Sequence, residues 1–287
     1  MKTKKVKRYA IQGFAGSFHA QAAAEYFVNS TCELLYCNTF TQTFTEGVNK
    51  NNDGAVVAIE NSIAGSILPN YTLLQQSKLH IVGEIYLQIN QHLLVNAGVR
   101  YTDIKEVHSH PMALLQCSKF LQKYHYKLVE TDDTALSAKY IKNHHCTHIA
   151  AIAGSQAAKE YGLHILQENI HTLPNNLTRF LILHKTANKP NSKHNKASLH
   201  FKTDHTQGAL AKVLGNIASE GINLSNLQSY PVAGSNFNYY FYADIEFENI
   251  TMLEKINAKL AITTHDYTLL GVYKAGNIPN LITNTHD

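Results

Sequence analysis

Apolar and polar positions along the chain fall into short blocks that change period about every ten residues. The run Ala55-Val56-Val57-Ala58-Ile59 is apolar without alternation, the pattern of a strand covered on both faces. Around it, strands are predicted at 9–13, 33–37 and 54–59, with helices at 18–28 and 41–49 between them. Such alternation argues for an α/β layer structure. A second set follows, with a β-rich stretch at 81–95 and strands at 106–108, 127–130 and 149–153. Its helices start after Pro111, span 132–143 behind an acidic cap, and run up to Tyr161, where Gly162 ends the last one. A returning strand is predicted at 180–184.

Residues 185–196 hold four lysines, one proline and no large apolar side chain, a linker by composition. Beyond them the order changes. A strand at 197–202 precedes a helix at 208–219 that carries Leu210, Val213, Leu214 and Ile217 on one face. Strands at 223–232 and 237–247, joined around Gly234, a helix at 250–260 and a strand at 265–274 complete a βαββαβ order. That is a ferredoxin-like plan.

The length, 287 residues, suits two domains. With 44% hydrophobic and 16% charged residues, a disordered chain is excluded. Lysine and arginine total 25 against 21 acidic residues, so the net charge is 25 − 21 = +4. Arginine occurs only at Arg8, Arg100 and Arg179, which counts against a nucleic-acid binder. The four cysteines form no CxxC pair, pointing to a reducing, cytoplasmic compartment. The basic N-terminus leads into Gln12, Gly13 and Gly16 rather than an apolar signal segment, and no run is long enough for a membrane span.

Four segments carry candidate chemistry. Gly13 to Phe18 lies between a strand and a helix, where it is either a tight turn or a backbone cradle for an anion. In Glu60-Asn61-Ser62, polar groups cluster at the carboxyl end of a buried strand, as ligand groups or as caps of the next helix. His108 and His110 are spaced i, i+2 on a strand end, so they point to opposite faces, and no nearby carboxylate or cysteine completes a metal set. Arg179, beside Thr178 and Phe180, is the arginine best placed to grip a carboxylate, with a structural salt bridge as the other reading.

Taken together, these segments resemble the prephenate dehydratases that carry a C-terminal ACT domain. The family's P-[IV]-E-N-S-x-x-G signature resembles Ala58 to Gly65, with Ala58 in place of proline. Its SHPQ…QC signature resembles Ser109-His110-Pro111-Met112 through Gln116-Cys117, with Met112 departing. Asp133-Thr134-Ala135 and Ala151-Ile152-Ala153, leading to Tyr161-Gly162-Leu163, match further blocks, and N-x-T-R-F is intact at Asn176, Thr178, Arg179 and Phe180. The glycine-rich opening resembles Gly13 to Phe18, with Phe14 where proline is usual. The resemblance covers about residues 8–275.

It implies a catalytic domain at 8–184 of two α/β lobes around a cleft, like a periplasmic binding protein, with the second lobe at about 86–170. The linker at 185–196 and an ACT regulatory domain at 197–275 follow. The implied reaction is decarboxylating dehydration of prephenate to phenylpyruvate in phenylalanine biosynthesis, without metal or organic cofactor. Because no chorismate mutase segment precedes Tyr9, the monofunctional form is expected. Thr178 would donate to the departing hydroxyl, with Glu60 as rival acid or orienting group. Arg179 would pair a substrate carboxylate, with Ser17, Asn61, Ser62, Ser109 and Gln116 as neutral hydrogen-bonding groups. Phe180 would cover the ring or pack in the core. In the C-terminal part, Gly208-Ala209-Leu210 and Gly221-Ile222-Asn223-Leu224 match effector-site motifs, implying L-phenylalanine as effector and a homodimer or homotetramer. The family's E-S-R-P is Gln228-Ser229-Tyr230-Pro231 here. Two further readings are arogenate dehydratase and a non-catalytic amino-acid sensor built on the same folds.

Overall fold

A computed structural model of the chain describes residues 6–231 and 239–279. The first lobe opens with β1 (Lys7–Gln12), α1 (Phe18–Tyr26), β2 (Cys32–Cys37), α2 (Phe40–Val48), β3 (Gly54–Asn61), β4 (Gly65–Ser66), α3 (Leu68–Gln76) and β5 (His80–Gln88). The chain then builds a second lobe from β6 (His92–Val95), β7 (Glu106–Ser109), α4 (Pro111–Gln116), α5 (Ser118–Leu121), β8 (Lys127–Glu130), α6 (Thr134–Asn143), β9 (Ile149–Ala153), α7 (Ser155–Tyr161) and β10 (His164–Gln167). It returns to the first lobe for β11 (Leu177–His184). The β-rich stretch at 81–95 is therefore two strands in different sheets.

The first sheet has the order β2-β1-β3-β11-β5, with β4 paired to β3, and the second has β10-β6-β9-β7-β8. In β3, Ala55, Val57 and Ile59 join one core cluster while Val56 and Ala58 join another. The unbroken apolar run thus serves two buried faces. The two crossings between lobes are tied side by side: Ile89 N–H donates to Asn176 O at 2.7 Å and Ile170 N–H to Gln91 O at 2.9 Å.

The C-terminal domain consists of β12 (Lys196–Lys202), α8 (Ala209–Ser219), β13 (Asn223–Pro231), β14 (Tyr239–Glu246), α9 (Ile250–Thr263) and β15 (His265–Tyr273). Its antiparallel sheet has the order β13-β14-β12-β15, the ferredoxin-like arrangement of a βαββαβ chain. The turn expected around Gly234 lies outside the described residues. Leu199, Val213, Ile217 and Leu260 pack within the domain. Tyr230, Tyr242, Leu270 and Tyr273 instead share a core with Val57, Ile59, Tyr71 and Leu181 of the first lobe. At Gly271 the two bodies come so close that a Cβ would sit 2.0 Å from Ile81 O.

The segment at 185–196 is not a free spacer. Asn188 Nδ2 donates to Val82 O and to Val272 O, both at 3.1 Å, so one side chain joins the two bodies. Lys196 opens β12 and is buried, with its ammonium 3.0 Å from Glu84 Oε1. Composition marked Lys196 as linker, but a buried carboxylate across the boundary takes its charge. Among the described residues, no helix is long and apolar enough to cross a membrane.

Candidate active site

Between the lobes lies a cleft of about 450 Å³, a size suited to a small organic ligand. Thr178 and Phe180 of β11 and Ala58 and Asn61 of β3 line its first-lobe wall. Ser17 and His19 enter from the start of α1, and His110, Met112 and Gln116 from α4. Asp133 sits at the start of α6. Each of these helices is capped by a cleft residue. Ser17 Oγ accepts from Ala20 N–H at 3.3 Å, His110 Nδ1 from Met112 N–H at 3.2 Å, and Asp133 Oδ1 from Leu136 N–H at 2.9 Å. Among the described residues lining the cleft, none is lysine or arginine. The N-terminal ends of α1, α4 and α6 adjoin the cleft, and such ends favour an anion without a full charge, while Asp132 and Asp133 add acidic groups to the same lining.

One hydrogen-bond chain determines how the Thr178 hydroxyl points. Asn61 Oδ1 accepts from the backbone N–H groups of Ile63 at 3.0 Å and Ala64 at 2.8 Å. This leaves Nδ2 as the donor end, and it donates to Thr178 Oγ1 at 2.9 Å. Asn61 Nδ2 also reaches Asn176 Oδ1 at 2.6 Å and Leu177 O at 3.1 Å. Because Thr178 Oγ1 accepts from Asn61, its own proton is directed away from that amide, on a residue that lines the cleft.

His19 packs edge-on against Phe180, with ring centroids 5.0 Å apart. Its Nε2 accepts from Ala58 N–H at 3.2 Å, and burial lowers its pKa to about 4, so the ring is neutral near pH 7. Burial acts oppositely on Asp133: desolvation raises its pKa against the pull of the backbone N–H groups of Leu136 and Ala135. Gln91, at the lobe crossing, is buried and lines the cleft, and its Oε1 has no hydrogen-bond partner.

Four expected site residues, the substrate contacts Arg179, Ser62 and Ser109 and the rival acid Glu60, fall elsewhere. Arg179 points to the opposite face of β11 from Thr178 and Phe180, because successive residues of a strand alternate. There its guanidinium is buried against Glu84 and Asp244. Glu60 is displaced by a β-bulge. Arg179 pairs with Glu60 but Phe180 pairs with Ala58, so β3 carries one extra residue at this step. The bulge shifts the phase, so Asn61 takes the cleft position. Glu60 faces the side of Tyr71, whose phenol pKa burial raises and the Glu60 charge raises further. Ser109 is buried in the second sheet and donates to Ile152 O at 2.6 Å. Ser62 pins the returning chain, donating to Asn175 O at 3.0 Å and accepting from Leu177 N–H at 2.9 Å.

Thr178, Asn61, Ser17, Gln116 and Phe180 do converge on the cleft. His108 does not join His110 there, and pairs with Glu106 at 2.9 Å. His19, Gln91 and Asp133 also line the cleft, beyond the contacts that the motifs imply. A polar residue in the first turn of a helix after a glycine-rich loop is the signal that marks His19. The expected effector residues are apart within one chain. Gly208 caps the start of α8 and Asn223 opens β13 beyond its end, separated by a helix about 16 Å long.

The sequence model of one family, prephenate dehydratase, matches residues 9–188. The chain belongs to the prephenate dehydratase family. It is 39% identical over 254 residues to "Arogenate dehydratase/prephenate dehydratase 1, chloroplastic" of Arabidopsis thaliana, covering 83% of this chain and 64% of that protein. The prephenate dehydratase of Arthrobacter aurescens in complex with L-Phe superposes with a TM-score of 0.83 at 25% identity, covering 93% of this chain and 89% of that one. GqqA, described as a novel type of quorum-quenching acylase, gives a TM-score of 0.83 at 30% identity over 94% of this chain and 98% of that one. The chain spans less than two thirds of the length of these plant relatives, 64% of each of two arogenate dehydratases that it matches. Within this family fold, the cleft lined by Thr178 is the candidate active site.

Proposed function

We propose that the chain converts prephenate to phenylpyruvate, with Thr178 as the group that assists departure of the ring hydroxyl. The electron pair of the ring–carboxylate bond completes the aromatic ring as carbon dioxide leaves. The ring C–O bond breaks as the aromatic ring forms, and the departing hydroxide, hydrogen-bonded by Thr178, takes up a proton that comes in net from solvent and leaves as water. Aromatisation supplies the driving force, so the protein needs chiefly to orient the substrate and stabilise the leaving oxygen. The observation that supports this reading is the Asn61–Thr178 hydrogen bond at 2.9 Å on the cleft wall, in which the Thr178 oxygen accepts and its own proton is not used. A hydrogen bond donated in the transition state is worth about 10²- to 10⁴-fold in rate. Neutral donors and helix N-termini suit a carboxylate that must be released, because a tightly paired cation would hold the ground state.

Arogenate is the second reading, and one feature favours it. Asp132 and Asp133 line a cleft whose described lining has no cationic side chain, and the side chain of arogenate carries an ammonium. Supplying both acids to the purified chain and following phenylpyruvate and phenylalanine tests this. Faster phenylpyruvate release supports prephenate as substrate, and faster phenylalanine release assigns the site to arogenate.

The C-terminal domain is proposed as an ACT module that binds L-phenylalanine in a homo-oligomer. A second copy would bring its Asn223 end to the Gly208 end of the first, closing a gap that one chain leaves open. Free thiols at all four cysteines fit a reducing compartment such as the cytoplasm.

A further inference from the structure

We propose that Arg179 is a positioning residue through which docking of the C-terminal domain holds Thr178 toward the cleft. This rests on the reading of Thr178 as the hydrogen-bond donor in the reaction.

The guanidinium spends its donors on two domains. Its Nε and Nη2 lie 2.7 and 2.6 Å from Glu84 Oε2 in the first lobe. From the C-terminal domain, Asp244 accepts from Nη1, and Tyr273 Oη accepts from Nη2 at 3.2 Å. Asp244 and Tyr273 are held in turn: Tyr242 Oη donates to Asp244 at 2.8 Å, and the hydroxyls of Ser198 and Tyr273 are 2.6 Å apart. Lys196 of β12 crosses back to Glu84 at 3.0 Å. Each domain thus contributes one cation and one carboxylate, and each cation reaches a carboxylate of the other domain. Undocked, Arg179 keeps only Glu84 from this set.

Buried networks of this kind discriminate sharply between geometries, because every displaced member leaves a desolvated polar group behind. This one is attached beside the β3 bulge, where the β11 pairing steps from Glu60 to Ala58. Strand register is least protected by the ladder at a bulge, and a slip or twist there re-aims every side chain nearby. Arg179 is locked on one face, so Thr178 and Phe180 are held to the other. The C-terminal domain therefore contributes to the active site without touching it. A ligand or second copy that moves β14 or β15 would act on Thr178 through the same contacts.

The test uses the full chain with Tyr273→Phe and Asp244→Asn, each alone and combined with Thr178→Ala. Tyr273→Phe preserves the charge balance and the packing of the ring, so it tests the contact in a folded protein. The expected result is a kcat for prephenate about 10-fold lower with KM changed less than about 2-fold, and a larger kcat loss for Asp244→Asn. In the Thr178→Ala background, Tyr273→Phe should lower the residual rate no further, because the group it positions is gone. An undiminished kcat in both single variants overturns the proposal, as does an equal loss in the Thr178→Ala background. If the unaltered chain makes no phenylpyruvate, the functional reading has failed separately. Hydrogen exchange then decides the positioning role: faster amide exchange across 177–181 in Tyr273→Phe supports it, and unchanged exchange overturns it.

Discussion

At the residue scale, the proposed chemistry turns on which way the Thr178 hydroxyl proton points. Asn61 makes that choice through an amide whose oxygen is already occupied by Ile63 and Ala64 N–H groups. Asn61→Asp keeps that cap but replaces the donor with a second acceptor, which would recruit the Thr178 proton for itself. The expected outcome is a kcat loss of roughly 10- to 100-fold, exceeding that of Asn61→Ala. Steady-state kinetics showing full activity in Asn61→Asp would remove this hydrogen-bond chain from the mechanism. His19 gives a pH prediction. Its folded pKa of about 4 lies below the ordinary 6.5, so between those values the unfolded chain binds the proton and the folded one does not. Stability is thus greatest above about pH 6.5 and falls on acidification toward pH 4. From this group alone the loss between pH 7.5 and pH 5 is roughly 2 kcal/mol. Denaturation across that range should show a shallower pH slope in His19→Gln, and an identical slope would mean His19 is not held neutral. Neither effect is written in residue identity, since both depend on which backbone groups fold back on the side chain.

Most elements could be read from the sequence, but the facing of strand residues at the site could not be read with the same ease. The double-sided burial of β3 follows from its five apolar residues, and α6 from the acidic start at Asp132, although the helix begins two residues later with Asp133 as its cap. Arg179 is different. The two-residue period already says that Thr178 and Arg179 cannot share a face, and that signal outweighs the attraction of matching a lone arginine to an anionic substrate. Glu60 shows a harder case, because the bulge that turns it away leaves no mark in composition. The glycine-rich turn was legible as a turn, while its second role needed the fold. Gly16 has φ +82°, and a Cβ there would lie 2.7 Å from the Cα of Ala157 in α7. Nearby, Tyr161 Oη donates to Ala15 O at 2.8 Å. The turn is thus a contact between lobes. Gly16→Ala should cost roughly 2–4 kcal/mol from left-handed strain and overpacking together, read as a lower midpoint in chemical denaturation. An unchanged midpoint would show that the lobes can part to accept the methyl group.

At the scale of the molecule, the first-lobe sheet and the C-terminal sheet meet through one shared core and one buried ion network, so the first-lobe wall of the cleft and the C-terminal domain are parts of the same packed body. The extent of this contact was not legible from a lysine-rich segment that resembles a spacer, because Lys196 and Asn188 find their partners only after folding. Assembly carries its own prediction. If Gly208 of one copy and Asn223 of another form a single effector site, calorimetric binding of L-phenylalanine should disappear as the protein is diluted to monomers. Binding by a demonstrated monomer would place the effector elsewhere. The central claim concerns the cleft, and the most direct measurement is the rate of phenylpyruvate formation from prephenate by the folded chain and by Thr178→Ala. The unaltered chain should turn over prephenate, and Thr178→Ala should be about 10²- to 10⁴-fold slower with little change in KM. Equal rates in the two proteins, or no phenylpyruvate from the folded unaltered chain, would contradict that claim.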